Sequence, residues 1–340
     1  MKLNDQNKTP FRCIKKAVLA SLFLVILHGC GGGSGSDYSS QLPPKPVAPA
    51  YTTVASNKNV FGVWLWYAKQ LNKTHEQIAA ELAVIGVKRI YIKIADGRDI
   101  CSLRLSYAVV CDKNTTAIYK AKGIEPWTWS YNYTYDITKE PGAYATAAGA
   151  IRKSAEFGYR GHVLDIESEF DGKSKELEDL LMAFSEARAK ARNDLLIDAT
   201  YQLTASTWVN PADHNMNIAI IDKYVDAHQP QTYLEEWAKG GQYSASINDP
   251  IARIAAINQE YRSLGSSKPI WHIISTDSNS ITPAQLAEFF RGAGPYASIW
   301  RIPDGSEVPL SVLDKWRTID WTRIVFTQTS AADAINYLVM

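Results

Sequence analysis

From residue 60 onward, short apolar or aromatic runs alternate with longer amphipathic stretches. The runs have the length and composition of buried strands, and a polar turn follows each of them. The eight runs span residues 60–67, 89–96, 123–131, 161–168, 195–202, 226–234, 269–276 and 298–305. Helix-like segments lie between them, among them residues 75–85, 143–157, 175–192, 251–263 and 283–291. Because strands that alternate with helices form a parallel sheet with helical crossovers, the pattern predicts an α/β fold.

Eight strand–helix units within about 250 residues match the count of a (β/α)8 TIM barrel. A doubly wound open sheet is the rival architecture, but it normally has a glycine-rich phosphate turn after the first strand. Residues 67–69, Tyr-Ala-Lys, do not form such a turn. We therefore predict a single (β/α)8 domain over residues 56–322. Residues 323–340 are predicted to be a tail or a last helix packed on the barrel.

The first 29 residues are typical of a secretion signal. Lys15 and Lys16 precede the apolar residues 17–27, a stretch too short to span a membrane comfortably. Residues 27–30, Leu-His-Gly-Cys, resemble the lipobox of bacterial lipoproteins, in which the cysteine, here Cys30, becomes the lipidated first residue. An ordinary signal peptide cut nearby is the alternative. Residues 30–55 are rich in Gly, Ser and Pro and are predicted to be a tether.

The lipobox resemblance implies a protein anchored by lipid to the membrane of a bacterial cell envelope. Gly31 rather than Asp follows the cysteine, which implies the outer membrane if the cell is Gram-negative. The whole chain of 340 residues carries a formal net charge of +1. Its first 29 residues hold five Lys or Arg and one Asp, so the remainder carries −3. This weak negative balance argues against nucleic acid as a partner.

Two cysteines, Cys101 and Cys111, lie in the predicted barrel, ten residues apart. In an oxidising envelope this spacing predicts a disulfide within one loop. Metal binding is the weaker alternative, because no histidine neighbours the two cysteines. We predict no metal site and no cofactor.

The most informative chemistry lies at the end of the fourth predicted strand, where Asp165 and Glu167 are two residues apart. Residues i and i+2 of a strand point to the same face, so both carboxylates project together. In a TIM barrel the functional site lies at the carboxyl ends of the strands, where this pair is placed. The parity predicts that residues 163, 165 and 167 face the interior and that residues 162, 164 and 166 face the helices.

The same alternation on the second strand predicts that Tyr91, Lys93 and Ala95 point inward and that residues 90, 92 and 94 point outward. Lys93 is then expected near the acidic pair, where its charge favours the ionised form of a neighbouring carboxyl. A purely structural ion pair in the interior is the alternative. Asp96 and Glu169 are spare acids, and Glu169 lies where a helix dipole also favours a carboxylate.

Aromatic side chains cluster at the same predicted rim. Their faces can stack on a sugar ring while their polar edges bind hydroxyl groups, which favours a glycan site. The predicted ligand-binding residues are Trp66, Tyr67, Lys93, Asp96, Trp129, Tyr131, Tyr201, Gln231, Tyr233, His272 and Trp300. Arg301 is a weaker candidate. Trp64 and Trp127, deeper in their strands, are expected to fill the core instead.

Residues 161–167 resemble the fourth-strand signature of family 18 glycoside hydrolases, whose final Asp-X-Glu aligns with Asp165 and Glu167. In that family the Glu is the general acid, and the Asp orients the acetamido group of the substrate that attacks the anomeric carbon. Residues 231–233 are similar to the Met-X-Tyr-Asp motif of the sixth strand, and Trp300 falls where the family has a Trp under the cleaved sugar. The chain departs from the family at two positions, Val163 and Leu234, where the family has Asp.

Two further groups share parts of this pattern. Family 25 lysozymes also have Asp-X-Glu on the fourth strand, yet they need an Asp on the first strand, where this chain has Trp66 and Tyr67. The motifs are most similar to those of secreted bacterial glycoside-hydrolase-like barrels, a group without a settled substrate. The shared motifs are Trp-X-Trp-Tyr at 64–67, Tyr-Ile-Lys at 91–93 with Asp-Gly at 96–97, Asp-X-Glu-Ser-Glu-aromatic at 165–170, and Pro-Gln-X-Tyr at 230–233.

The residues and the resemblance together favour a glycosidase acting on an envelope or extracellular polysaccharide, with Glu167 as general acid/base and Asp165 as its electrostatic partner. A non-catalytic, lipid-anchored glycan-binding protein is the alternative, and the departures at Val163 and Leu234 favour it. A metal-dependent deacetylase is weaker still, because the sequence has no compact His/Asp ligand set.

Overall fold

The computed structural model describes residues 61–66, 68–101, 111–234, 249–275 and 281–302. The predicted secretion signal, Cys30, the tether, Tyr67 and the tail at 323–340 lie outside these residues. Within them, no helix is both long enough and apolar enough to cross a membrane.

Eight parallel strands form the sheet that organises the described residues. The strands in chain order are β1 Gly62–Leu65, β2 Arg89–Asp96, β3 Asp99–Ile100, β4 Glu125–Tyr131, β5 Gly161–Asp165, β6 Gln202–Thr207, β7 Ala227–Pro230, β8 Ile273–Ser275 and β9 Ser298–Ile302. The parallel strands are ordered β7-β6-β5-β4-β2-β1-β9-β8, and the short β3 pairs antiparallel with β2. Parallel bridges from His228 to Ile270 and from Gln231 to Ile273 connect the two ends of this order. The sheet therefore closes into the (β/α)8 TIM barrel that the alternation predicts.

Seven helices of the described residues connect the strands. They are α1 His75–Val84, α2 Lys113–Ala121, α3 Ala143–Glu156, α4 Ser174–Asn193, α5 Ile218–Tyr224, α6 Pro250–Ser263 and α7 Pro283–Ala293. The five helical segments named from the sequence are confirmed. Two of the helices, α1 and α7, begin at capping boxes. In each, the threonine side-chain oxygen accepts a hydrogen bond from the backbone amide of a glutamine three residues later, and the glutamine side chain accepts one from the threonine amide.

Apolar side chains are divided between the outside and the inside of the barrel. The outer layer consists of aliphatic strand residues, such as Leu164 and Ile166, packed against helices. The inner layer is mostly aromatic, and Val163 packs there with Trp64 and Trp127. The predicted parity of the fourth strand is therefore confirmed, and so is the core position of the two tryptophans, each 1% exposed.

The predicted fifth strand, residues 195–202, is wrong. Residues 195–200 form an irregular turn region, and Leu195 is 90% exposed with φ at 57°. Asp198 accepts a 2.7 Å hydrogen bond from the amide of Thr200, a local turn that competes with a strand. The strand that follows, β6, begins at Gln202 and contains small polar residues, which the apolar pattern did not detect.

A bulge in β2 corrects the predicted parity of its last residues. The pairing with β4 shifts between Lys93 and Ala95, so that Lys93 lies opposite Trp129 and Ala95 lies opposite Ser130. Ala95 is wrongly predicted to point inward, because the extra residue turns it toward the outer apolar layer. The same extra residue turns Asp96 inward, and its carboxylate oxygen Oδ2 lies 3.0 Å from Lys93 Nζ.

The predicted disulfide between Cys101 and Cys111 is confirmed, with the two Cα atoms 5.8 Å apart. Replacing both cysteines with serine is expected to lower the free energy of unfolding by about 3 kcal/mol, because the bond closes a loop in the unfolded chain. Urea unfolding of the variant and the unmodified protein, each with and without reductant, measures the effect. In reductant the two proteins should unfold together; a variant as stable as the oxidised protein would contradict the expectation.

Candidate functional site

The backbone around the acidic pair is held by both neighbouring strands. Asp165 ends β5, and its carbonyl oxygen accepts hydrogen bonds from the backbone amide of Asn132 at 3.2 Å and from Nδ2 of the same residue at 3.0 Å. On the other side, the amide of Ile166 donates to the carbonyl of Ser206 at 2.9 Å. Since parallel strands end at one rim of the barrel, these contacts fix the direction in which both carboxylates leave the backbone.

One amide connects the two carboxylates. Gln231, directly after β7, donates from Nε2 to Glu167 Oε1 at 2.8 Å and to Asp165 Oδ1 at 3.3 Å. An amide nitrogen has two hydrogens, so it can serve both acceptors at once. The two carboxylate oxygens consequently lie no farther apart than the sum of these two distances. Gln231 therefore sets the spacing of the pair.

Burial changes the protonation of both acids. Burial raises the pKa of Asp165 well above its usual value, and the neighbouring charge of Glu167 raises it further. Burial also raises the pKa of Glu167, and Gln231 acts against this shift. The charge of Lys93 lowers the pKa of both acids, as expected, but burial outweighs it. The pair therefore retains protons to higher pH than carboxyl groups in water do.

Replacing Asp165 with asparagine is expected to raise the protein's stability at pH 7. The pKa of Asp165 is raised in the folded state. Above an unfolded value of about 3.9 the folded state therefore holds more protons, and stability falls as pH rises. Asparagine avoids this loss and still offers Gln231 an acceptor. Urea unfolding midpoints of the variant and of the unmodified protein, measured at pH 3, 5 and 7, should be equal at pH 3 and diverge above it.

The control for this expectation is Asp198, whose pKa is lowered by hydrogen bonds from Thr200. Its stabilising contribution is present above the unfolded pKa and is lost at lower pH, so Asp198→Asn should change stability in the opposite sense. An Asp165→Asn protein that is less stable than the unmodified protein at pH 7 would contradict the assigned cause.

The cation of the site is confirmed to point inward. Lys93 is buried, and its Nζ lies 3.0 Å from Asp96 Oδ2 and 5.0 Å from the ring centre of Trp129. A charge held by both a carboxylate and aromatic faces remains in place without bulk water. Lys93 thus lowers the cost of keeping carboxylates in the aromatic interior.

The rim aromatics divide by exposure. Tyr131, Trp66 and Trp300 are half-buried, with the rings of Trp66 and Trp300 6.2 Å apart. The guanidinium of Arg301 lies 3.7 Å from the ring centre of Trp66, and the peptide bond before it is cis. In contrast, Trp129 and Tyr233 are buried within the inner aromatic layer. The half-buried members are the ones that a ligand can reach.

Two residues predicted for the site lie elsewhere. Tyr201 precedes β6, at the amino end of the barrel, and its hydroxyl donates to Ser154 Oγ of α3 at 2.8 Å. Its predicted place depended on the wrong position of the fifth strand. His272 is buried toward the helices, with Nε2 3.0 Å from Asn258 Oδ1 of α6, and burial lowers its pKa to about 3. Neither side chain contacts the acidic pair.

The structure adds residues that the sequence interpretation missed. The side chain of Ser206 hydrogen-bonds to Asp165, a role that follows from parity once β6 is placed correctly. The hydroxyl of Tyr131 donates to Glu169 Oε2 at 2.8 Å, and that of Tyr133 donates to Asp96 Oδ1 at 3.0 Å. Acids and tyrosines thus alternate around this side of the rim.

Asp171, beyond the acidic pair, contacts two ring side chains. Its Oδ1 accepts a hydrogen bond from Trp208 Nε1 at 3.2 Å, and its Oδ2 lies 2.9 Å from His214 Nδ1. The rings of Trp208 and His214 stack with centres 4.5 Å apart. Across the residues that the structure describes, no three His, Cys, Asp or Glu side chains are grouped to hold a metal ion.

No protein-family model matches the sequence, and no curated protein matches it. Among solved structures, the endo-1,4-β-D-mannanase of Thermotoga petrophila RKU-1 is 13% identical with a TM-score of 0.52, covering 73% of this chain and 90% of that chain. A family 18 chitinase from Pseudoalteromonas aurantia is 10% identical with a TM-score of 0.50, covering 77% and 98%. The spore cortex-lytic enzyme SleL of Bacillus cereus is 14% identical with a TM-score of 0.46, covering 65% of this chain.

The chain spans about half the length of SleL, 51%. The mannanase and the chitinase are glycoside hydrolases, and the barrel of this chain has the same fold. At 13% identity or less, the similarity concerns the fold and not the role of any single residue.

Proposed function

We propose that the protein is a glycoside hydrolase that acts on an envelope or extracellular polysaccharide. The observation that carries the proposal is the buried pair Asp165 and Glu167, bridged by Gln231 at the carboxyl rim of the barrel. A carboxyl group with a raised pKa and limited access to water suits proton transfer to a sugar oxygen. Half-buried aromatic rings beside the pair suit the apolar face of a sugar.

The two acids differ in how far a substrate can reach them. Asp165 is 4% exposed, whereas Glu167 is half-buried. Glu167 is accordingly assigned as the general acid that protonates the leaving-group oxygen while the glycosidic bond breaks. Asp165, buried beside it with a raised pKa, hydrogen-bonds and orients the attacking group of the substrate, the role that the resemblance to family 18 implies.

The spacing of the pair supports retention of configuration. Inverting glycosidases keep their two carboxyl groups about 6.5–9.5 Å apart to admit a water molecule. The hydrogen bonds of 2.8 and 3.3 Å from Gln231 hold the nearer oxygens of Glu167 and Asp165 closer than that range. Under this proposal the acetamido oxygen of the substrate attacks the anomeric carbon as the glycosidic bond breaks, as the resemblance to family 18 implies, because the buried Asp165 is poorly placed to attack. Water then attacks the same carbon and releases the product, with Glu167 taking the proton of the water.

A non-catalytic glycan-binding protein is the second candidate. Val163 stands where the family 18 signature has an acid, and it packs among interior aromatic side chains. On β5, Asp165 therefore lacks the further inward-facing carboxylate that the signature would place two residues before it. Leu234 also replaces an acid and is buried on the helix side of the barrel. For either candidate, the lipobox-like residues 27–30 support anchoring through Cys30 at the bacterial envelope.

A product screen tests the proposal. The purified protein is incubated with peptidoglycan, chitin oligomers and capsular polysaccharides, and products are identified by mass spectrometry and by the anomeric signals in NMR spectra. Hydrolysis with retained anomeric configuration is expected for at least one substrate. Binding without any product would overturn the enzyme assignment in favour of the glycan-binding protein, and inverted products would overturn the assigned mechanism.

A further inference from the structure

Tyr133 lies outside the acidic site, two residues beyond the end of β4. Its side chain is 38% exposed, and it is the one aromatic residue in the described part of the chain that is exposed rather than buried or half-buried. An exposed tyrosine offers an apolar face and a polar edge, which is why tyrosine is enriched at binding interfaces.

The exposed ring is held in place by two side chains. Its hydroxyl donates to Asp96 Oδ1 at 3.0 Å, and the other oxygen of Asp96 is paired with Lys93. Its edge packs against Tyr131, with ring centres 5.2 Å apart and planes at 61°. A ring fixed in this way loses little conformational freedom when a ligand binds to it.

Gly97 provides the space for the ring. A Cβ atom at Gly97 would lie 2.8 Å from Tyr133 Cδ2 and nearer still to the hydroxyl oxygen of Tyr135, closer than atoms pack. The backbone there also has φ at +55°, which favours glycine. The Asp-Gly pair at 96–97 therefore positions Tyr133 in two ways. The carboxylate of Asp96 accepts its hydroxyl hydrogen bond, and the absence of a side chain at Gly97 leaves room for its ring.

We propose that Tyr133 is an accessory sugar-stacking platform, so that the ligand is a polysaccharide chain that extends from Glu167 across Tyr131 to the β4–α3 loop. This inference rests on the proposed function for the sugar at Glu167. Tyr131 lies between the two places: its ring packs on Tyr133, its hydroxyl donates to Glu169, and the charge of Glu167 helps to raise its pKa. The chemistry recognised is the apolar C–H face of a pyranose ring, with a chain long enough to span both places.

Affinity measurements in the Glu167→Gln background, where the ligand is not cleaved, test the platform. Tyr133→Ala is expected to raise Kd for a polysaccharide found in the product screen about threefold to tenfold, while Kd for its disaccharide changes less than about twofold. Tyr133→Phe keeps the ring and should stay within about twofold of the parent on both ligands. Met182→Ala removes another exposed apolar side chain, 44% exposed on α4, and should change neither affinity.

The outcomes separate the two proposals. Equal effects of Tyr133→Ala and Met182→Ala, or equal losses on long and short ligands, overturn the platform even when the protein hydrolyses the polymer. Polymer binding that depends on Tyr133 without any hydrolysis keeps the platform and overturns the glycosidase. A protein that is retained in affinity electrophoresis by none of the screened polymers overturns both.

Discussion

Replacing Glu167 with glutamine is expected to lower kcat on a cleavable glycan by about 10²–10⁴-fold, because the group that donates the proton is removed. Glutamine keeps the shape of the side chain and still offers an oxygen to Gln231, whose Nε2 lies 2.8 Å from Glu167 Oε1. Binding of the uncleaved glycan should therefore remain within a few-fold of the unmodified protein. Steady-state kinetics and isothermal titration on the same ligand measure the two quantities.

The matched control is Glu169→Gln in the same motif. Glu169 is also half-buried, but its carboxylate accepts a hydrogen bond from the hydroxyl of Tyr131. The carboxylates that Gln231 serves are those of Asp165 and Glu167. Its replacement should lower kcat less than about tenfold. Unchanged turnover in Glu167→Gln would remove this residue from the chemistry, and an equal loss in both variants would reassign the acid.

Replacing Trp127 with alanine is expected to lower the free energy of unfolding by about 3–5 kcal/mol. Trp127 is 1% exposed at the amino end of the barrel interior. The guanidinium of Arg89 lies 5.0 Å from its ring centre, and a Cβ atom at Gly161 would lie 2.5 Å from its ring, so a neighbouring position is left small to admit it. Removing the ring leaves a cavity and takes an aromatic face from a buried cation.

Urea unfolding and glycan affinity, both measured for Trp127→Ala and for Trp300→Ala, distinguish a packing role from a ligand-binding one. Trp300 is half-buried at the rim, so its loss should cost less stability and should weaken glycan binding more. The prediction for Trp127 is contradicted if its variant unfolds at the same urea concentration as the unmodified protein.

The barrel could be predicted because its strands and helices differ in period and length along most of the chain. Inward parity also follows from the sequence wherever a strand is regular, as at Val163 and Asp165. The fifth strand could not be found in this way, since the apolar residues 195–197 belong to turns, while β6 is built from small residues such as Ser206. Apolar runs reveal strands only where large side chains fill both faces.

The candidate site was predictable in its acids and less so in its supporting contacts. Asp165, Glu167 and Gln231 meet because strand ends converge at one rim of a closed barrel. The hydrogen bond from Tyr133 to Asp96 joins residues 37 apart and depends on a loop conformation, which no local pattern encodes. His272 was misplaced for a different reason. Trp271 and Ile273, on either side of it, pack in the inner aromatic layer, so regular alternation turns His272 toward the helices.

The bulge in β2 also determines how related chains must be aligned. Lys93 and Asp96 contact each other only because one extra residue separates two positions that would otherwise face opposite sides of the sheet. A relative that lacks one residue here would turn its acid toward the helices, even if every motif letter were conserved. In this barrel, an alignment gap of one residue in β2 would therefore change which side chains reach the site. Scoring the aligned residues for substitutions alone would not detect that change.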